Sequence, residues 1–467
     1  MSTAELKQQI VVVGCSASAV DTLLNLVASL PSPFPASVVI AQHLDSKRPV
    51  DLAHILQHRC PLPIRTISER ASLDPGVLYV VPPGRDVEVI DQKIHLAANG
   101  EDAPRSSVDA LFQRAATVFG ENLIAVLLTG SSFDGAAGVH WVKKCGGTVI
   151  VENPGHAGRS AMPEALEPTA IDILADVERM GPILYDLLTG SYTEPAPDED
   201  RQIQVLLDMV RERSGIDFRM YKQATILRRL RRRIVATETR TVEKYTLYLE
   251  EHDEEYQWLI NSFLINVTEF MRDPEIFAYL RDTILPDLIA HARKESKTLR
   301  IWSAGCATGE ESYSVAMLVS ELLGEELDSF NVRIFSTDLD GDAIAFARRG
   351  IYTAGAVRGL APELVERYFV QTDGQYQVKK RLRNLTVFGE HDLGQRAPFP
   401  HIDLVVCRNV LIYFTSELQR RTLQLFAFSL RENGYMMLGK AESTSPLNDF
   451  FVTHDLRYKV YVRRGER

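Results

Sequence analysis

Cysteine is scarce in this chain. Its five cysteines, at 15, 60, 145, 306 and 407 of 467 residues, are odd in number, and no two are spaced as a zinc or dithiol motif requires. A disulfide-stapled fold is therefore excluded, no metal site is expected, and the thiols read as reduced in a cytosolic protein. Long apolar runs are missing too, since none approaches the roughly 20 residues that cross a bilayer. The N-terminus lacks a basic segment followed by an apolar core and a small-residue cleavage site, so no signal peptide is expected and the cytoplasm is the expected compartment. An excess of positive charge is also absent: 52 Lys and Arg stand against 62 Asp and Glu, a net charge of −10 that weighs against a general nucleic-acid binder. Repeats and low-complexity tracts are absent. What remains is ordinary globular material, 45% apolar and 24% charged.

Proline and acids cluster at Thr193-Glu194-Pro195-Ala196-Pro197-Asp198-Glu199-Asp200 and interrupt every periodic pattern. They divide the chain into residues 1–192, a linker 193–200, a small helical domain 201–282 and a third domain 283–467. The first part alternates strand-like runs (10–13, 37–41, 76–81, 123–128, 147–151) with helical patterns (21–30, 50–57, 108–119, 135–144), which predicts a doubly wound α/β domain. From residue 299 strand and helix alternate again, which predicts a Rossmann-like α/β domain.

The most informative stretch is "LRIWSAGCATGEESYSVAML", 299–318. A strand feeds a loop of small residues (Ser303, Ala304, Gly305, Cys306, Ala307, Gly309) that opens an acidic helix start. Such a loop lets a ligand approach the backbone. It has neither the Lys of a P-loop nor G-x-G-x-x-G, and Glu310 and Glu311 would repel phosphate. About thirty residues on, "RIFSTDLD" ends a second strand in Asp338 and Asp340, where an acid commonly holds ribose hydroxyls. Loop, acids and ribose acid together suit S-adenosylmethionine, whose sulfonium is positive. The competing reading is a structural turn with solvated acids.

Residues 200–465 resemble the CheR-type chemotaxis receptor methyltransferases through "INVTEFMRDPEIF" (265–277), "SAGCATGEESYS" (303–314), "STDLD" (336–340), "EHDL" (390–393), "CRNVLIYF" (407–414) and "GYMMLGKAES" (434–443). The resemblance implies methyl transfer from S-adenosylmethionine to glutamate side chains on chemoreceptor helices. It places Asn266, Thr268 and Arg272 at the cofactor's amino-acid end or lining the site, and Ala304, Glu310 and Asp338 on the cofactor. Asp392, Leu393, Arg408 and Asn409 are placed beside the adenine and methionine moieties, and Tyr413 at the substrate entrance. A glutamate carboxylate is already a nucleophile at neutral pH, so catalysis must mainly align the reacting atoms. Arg272 or Arg408 would fix a carboxylate through a bidentate pair.

Ahead of that core, "YKQATILRRLRRRIVAT" (221–237) predicts a helix with an apolar face of Ile226, Leu227, Leu230 and Ile234. Arg228, Arg229, Arg231, Arg232 and Arg233 cover the rest, as a solvated face, a nucleic-acid or membrane patch, or a partner surface. The resemblance selects the last, a basic surface that docks on the receptor's methylation region.

Residues 8–190 resemble the CheB-type receptor methylesterases through "GCSASAVDTL" (14–23), "VVIAQHL" (38–44), "YVVPPGRDV" (79–87), "SSVDALF" (106–112), "LLTGSSFDGAAG" (127–138) and "GRSAMPEA" (158–165). The resemblance implies hydrolysis of the same glutamyl esters by Ser16 as nucleophile, His43 as base and Asp134 as its orienting acid. Taken singly, these are a turn residue, a strand-end histidine and a helix cap. Where that family usually has glycine, this chain has Ser18, Ala19 and Ser132. A positive-φ requirement there would cost about 1 kcal/mol or more per replacement, so weakened hydrolysis is expected. A methyltransferase with an inactive esterase domain, and a signalling scaffold without turnover, are the alternatives. Family esterases commonly carry an N-terminal receiver domain; this sequence opens at the catalytic strand, so control is expected from partners or between the two halves.

Overall fold

The computed structural model describes residues 8–43, 51–83, 85–90, 93–96, 107–128, 134–153, 170–190, 198–372, 374–445 and 450–465. Ser132, the "GRSAMPEA" motif and most of the expected linker lie outside them. By internal contacts the chain falls into two units, residues 1–203 with 229–262, and residues 204–228 with 263–467.

The first unit is built on a seven-stranded sheet in the order Ile173–Ala175, Thr148–Glu152, Leu123–Leu127, Ile10–Ser16, Ser37–His43, Leu78–Val80, Ile64–Thr66. Every pairing in it is parallel. Its central strands are apolar on both faces, as a parallel sheet covered by helices on either side demands. Ile10 and Val12 face one buried cluster, and Val11 and Val13 the other. The helices Val20–Ser29 and Val177–Thr189 contribute to one layer, and Ser107–Phe119 and Ala136–Lys144 to the other. Gly14 permits one close approach: a Cβ there would lie 2.3 Å from Val108 Cγ1. The sequence pattern missed a three-stranded antiparallel sheet of Arg70–Ser72, Val87–Ile90 and Lys93–Leu96, whose strands are too short for periodicity to register.

The second unit has its own seven-stranded sheet, ordered Thr386–Glu390, Asn331–Asp338, Thr298–Ala304, Ile402–Cys407, Leu430–Leu438, Val460–Arg463, Phe451–Asp455. The first five strands are parallel and the last two join antiparallel. A separate antiparallel sheet, Ile351–Thr353, Gln375–Val378 and Phe369–Thr372, follows the second strand in sequence.

Helices at Glu199–Ser214, Gln223–Ala236, Val242–Glu251 and Asp253–Phe263 fill the region expected to be helical. That region is not one body by contacts, because residues 229–262 group with the first unit and 204–228 with the second. The cause lies in residues the periodicity cannot show: Val235 joins the first unit's apolar core, while Phe218 packs edge-on against Phe263 at 4.9 Å.

Candidate active sites

In the second unit, three neighbouring strands, Asn331–Asp338, Thr298–Ala304 and Ile402–Cys407, point their C-terminal ends at one cleft. Ligands bind at this edge of open α/β sheets because the loops there are free of the strand ladder. After Ala304 the chain turns through Gly305 at φ 77°, where a Cβ would lie 2.3 Å from Val410 Cγ2. Thr337 O accepts from the backbone N–H groups of Gly305 and Cys306 at 2.7 and 2.9 Å, which fixes the loop over the next strand.

Asp338 closes that strand. Its carboxylate accepts from Ala307 N–H at 2.8 Å and Asp340 N–H at 3.0 Å. Burial nonetheless raises its pKa to about 6. Arg408 sits behind the cleft with its side chain 1% exposed, donating to Asp273 at 2.5 Å and lying 3.6 Å from Glu311. Asp273 and Met271 hold left-handed φ values of 61° and 50°, and Arg272 Nη1 between them donates to Val267 O at 2.8 Å. Burial pushes Glu311 above the usual carboxylate range while Arg408 and the Ser303 hydroxyl, 2.9 Å away, oppose it.

Asn266, Thr268, Arg272, Asp338, Asp392, Leu393, Arg408, Asn409 and Tyr413 all line this cleft. Two expected residues do not. Ala304 is fully buried in the core beside Trp302 and Cys407, one residue short of the loop that meets the cleft. Glu310 accepts from the Thr308 hydroxyl at 2.7 Å, and the neighbouring Glu311 is the acid that faces the cleft. Adjacent helical residues point about 100° apart, so "GEE" alone does not tell which one turns inward. The sequence also missed Tyr221, which sits against Phe414 with ring centroids 5.2 Å apart, and Glu442 behind the cleft. Glu442 accepts from the backbone N–H groups of Asn409, Val410, Ile412 and Gly439 at 3.0, 2.9, 3.3 and 2.6 Å.

Whether these residues suit S-adenosylmethionine is decided by the polar atoms left over. Among the described residues, Arg408 Nε and Nη1 are buried without a hydrogen-bond acceptor, and Asn409 Oδ1 is buried without a donor. Unpaired guanidinium N–H donors beside a lone amide acceptor complement the carboxylate and ammonium of an amino acid. Asp338 adds an acceptor for hydroxyls. The residues fit the cofactor.

The first unit carries a second constellation at its own strand ends. Ser16 and His43 are register partners at the ends of adjacent parallel strands. His43 Nδ1 lies 2.9 Å from Asp134 Oδ2. Asp134 is nearly buried, and its oxygens accept from Val108 N–H at 3.3 Å and Asp109 N–H at 3.1 Å, in the first turn of Ser107–Phe119. Asp109 reciprocates by accepting from Gly135 N–H at 3.0 Å and Gly138 N–H at 2.6 Å, at the start of Ala136–Lys144. Asp134 is therefore not the cap of the helix that follows it. Ser18 and Ala19 lie in a short 3-10 turn, Ala17–Ala19, with Ala19 at φ −96° and neither residue at positive φ. The strain expected at these two positions is absent.

Three family models match the chain: CheB methylesterase over residues 11–184, the CheR methyltransferase all-alpha domain over 201–264, and the CheR methyltransferase SAM-binding domain over 266–460. The chemotaxis protein methyltransferase of Escherichia coli K12 is 31% identical over 268 residues, which cover 56% of this chain and 90% of the relative. The chain belongs to the CheR methyltransferase family. Another CheR-family relative, chemotaxis protein methyltransferase 2 of Vibrio cholerae, is 31% identical over 52% of this chain and 86% of its own length. An uncharacterized 104.1 kDa protein of Rhodobacter capsulatus is 32% identical over 441 residues, or 88% of this chain, and this chain spans 46% of that relative. Apart from Tyr221 and residues 263–265, the cleft's lining falls within the match to the SAM-binding domain, and S-adenosylmethionine is its cofactor. Among the described residues, no helix is long and apolar enough to cross a membrane.

Within the CheR all-alpha match, the arginine helix departs from expectation. Arg228 and Arg231 are exposed, but Arg229, Arg232 and Arg233 are 6%, 7% and 5% exposed. Arg232 pairs with Asp172 at 2.8 Å, and Lys143 meets the same carboxylate oxygen at 2.6 Å. Arg233 forks onto Glu255 at 2.9 and 2.6 Å and donates to Asp172 O at 2.9 Å. Burial pushes Asp172 up, but Arg232, Lys143 and Arg229 overcome it and hold the carboxyl well below the usual range. A docking surface made of all five arginines is therefore corrected: three of them are spent on internal acids and carbonyls.

Proposed function

We propose that this chain transfers methyl groups from S-adenosylmethionine to glutamate side chains on the cytoplasmic helices of chemoreceptors. We propose also that Ser16, His43 and Asp134 hydrolyse the resulting esters. The observation that carries the first reading is the set of unpartnered atoms on Arg408 and Asn409 beside Asp338, an amino-acid recognition site next to a hydroxyl acceptor.

S-adenosylmethionine supplies a methyl group already activated by its sulfonium. The acceptor carboxylate is ionised at neutral pH, so this chain's residues need only bind, orient and exclude water. Arg408 would donate to the cofactor's carboxylate from a spare N–H, and Asp338 would accept from its hydroxyls. Arg272 and Tyr413, both on the cleft wall, would receive the acceptor glutamate, with Arg272 offering the donors that Val267 O does not use. Leu264, Ile265, Leu393, Phe414 and Leu418 supply the apolar wall that keeps water from the reacting atoms.

Calorimetry with the full chain tests this reading. Arg408→Ala and Asp338→Asn are each expected to weaken S-adenosylmethionine binding by about tenfold to a hundredfold, since each removes hydrogen bonds to or from a charged group. The same variants should slow transfer of labelled methyl to a chemoreceptor cytoplasmic fragment. Wild-type affinity in both variants would contradict the assignment.

A further inference from the structure

Ser18 stands where the related esterases usually carry glycine, and it does more than fill a turn. Its hydroxyl oxygen lies 2.7 Å from that of Ser16. Ser16 is 2% exposed, whereas Ser18 is exposed to solvent. Among the described residues, Ser18 is the one hydrogen-bond partner of the Ser16 hydroxyl, and no bond joins that hydroxyl to His43. His43 is otherwise set for its task. Asp134 holds Nδ1, so Nε2 is the nitrogen left to act as base, and Ser16 and His43 are already register partners. What is missing is a hydrogen bond from the Ser16 hydroxyl to His43 Nε2.

We propose that Ser18 is a brake on the esterase site: it holds the Ser16 hydroxyl in a resting pair and competes with His43 for it. The inference rests on the reading of Ser16, His43 and Asp134 as the esterase triad. In the productive reaction Ser16 Oγ forms a bond to the ester carbonyl carbon as its proton passes to His43 Nε2. Collapse of the adduct expels methoxide, which takes that proton and leaves as methanol. Water then attacks the acyl carbon, giving its proton to His43, which returns it to Ser16 as the free carboxylic acid departs. With Ser16 as the donor of the pair, each turnover begins by breaking it, so Ser18 lowers the fraction of sites ready to react without changing the base. A hydroxyl at position 18 costs the backbone nothing, because the turn has no positive φ. The loss expected at position 18 is therefore a hydrogen bond in the resting site, and a substitution can undo it.

The test uses the full chain and a fluorophosphonate probe, which reports attack by an activated serine and needs no receptor. Labelling rates would be compared for wild type, Ser18→Ala, Ser18→Gly and Ser16→Ala across pH 5–9. We expect labelling of Ser18→Ala and Ser18→Gly to be about tenfold faster than wild type, as loss of one competing hydrogen bond implies. The pH midpoint should stay unchanged because His43 is untouched, and labelling should be lost in Ser16→Ala. Hydrolysis of p-nitrophenyl acetate should follow the same order. Equal Ser16-dependent rates in all three serine-containing forms would overturn the brake and leave the triad standing. Slower labelling in both Ser18 variants would also overturn it, since Ser18 would then be passing the proton. Failure of every form to label at Ser16 would remove the esterase reading and the brake together.

Discussion

Glu442 commits both carboxylate oxygens to four backbone N–H groups, three of them on the segment that carries Asn409, Val410 and Tyr413 into the cleft. Asn409 is held at φ 61°, a left-handed conformation that needs such support. Glu442→Gln turns one acceptor into an NH2 group facing donors. It should therefore cost about 1–3 kcal/mol of organisation at that segment, read as weaker S-adenosylmethionine binding by calorimetry. Asp338 gives a pH prediction. Its pKa near 6 means that the free carboxyl takes up a proton as pH falls through that value, and hydroxyl donors favour the ionised form. Cofactor affinity should therefore hold above about pH 7 and fall below 6, and Asp338→Asn should flatten the profile between pH 5 and 8. Asp338 was legible in the sequence because a strand end fixes where its last side chain sits. Glu311 was not, since its role turns on which of two adjacent acids faces inward. Tyr221 was not legible as a site residue because it lies in no quoted site motif, and Glu442, though inside "GYMMLGKAES", was not because its role is to accept backbone N–H groups about thirty residues away.

The arginine helix shows the same limit at the scale of an element. Periodicity gave its apolar face, Ile226, Leu227, Leu230 and Ile234; three are buried and Leu227 is half-buried. Periodicity says nothing about what meets the remaining faces, and the acids that do, Asp172 and Glu255, lie 60 residues before Arg232 and 22 after Arg233. Removing one partner from a buried ion pair leaves the other charge uncompensated, at a cost of about 3–5 kcal/mol. Arg232→Ala and Asp172→Ala should therefore lower stability to urea by that order, while exposed Arg231→Ala should change it by about 0.5 kcal/mol or less. Equal, small effects at all three positions would show that the buried network contributes no stability. The parallel strands were easy to read because continuous apolar runs mark a sheet covered on both faces. The short antiparallel strands at Arg70–Ser72 and Ile351–Thr353 were not, since three residues carry no period.

For the whole molecule, two sheets of similar design present two candidate sites, each at the C-terminal edge of its own parallel strands. The family, the two α/β folds and the cofactor loop could all be read from sequence, because each depends on contiguous residues. The split of the helical region between two contact units could not, because it depends on which distant cores Val235 and Phe218 join. A chain that both adds and removes one methyl group should show turnover of that group, slowed by Ser18 at the removing site. The most direct measurement charges a chemoreceptor cytoplasmic fragment with tritiated methyl from S-adenosylmethionine using the full chain. Excess unlabelled cofactor is then added and volatile tritiated methanol is followed. The account predicts alkali-labile label on the fragment, then its slow release as methanol by wild type, faster release by Ser18→Ala and retention by Ser16→Ala. Label that never reaches the fragment, or that stays on it equally with all three forms, would contradict a two-way enzyme.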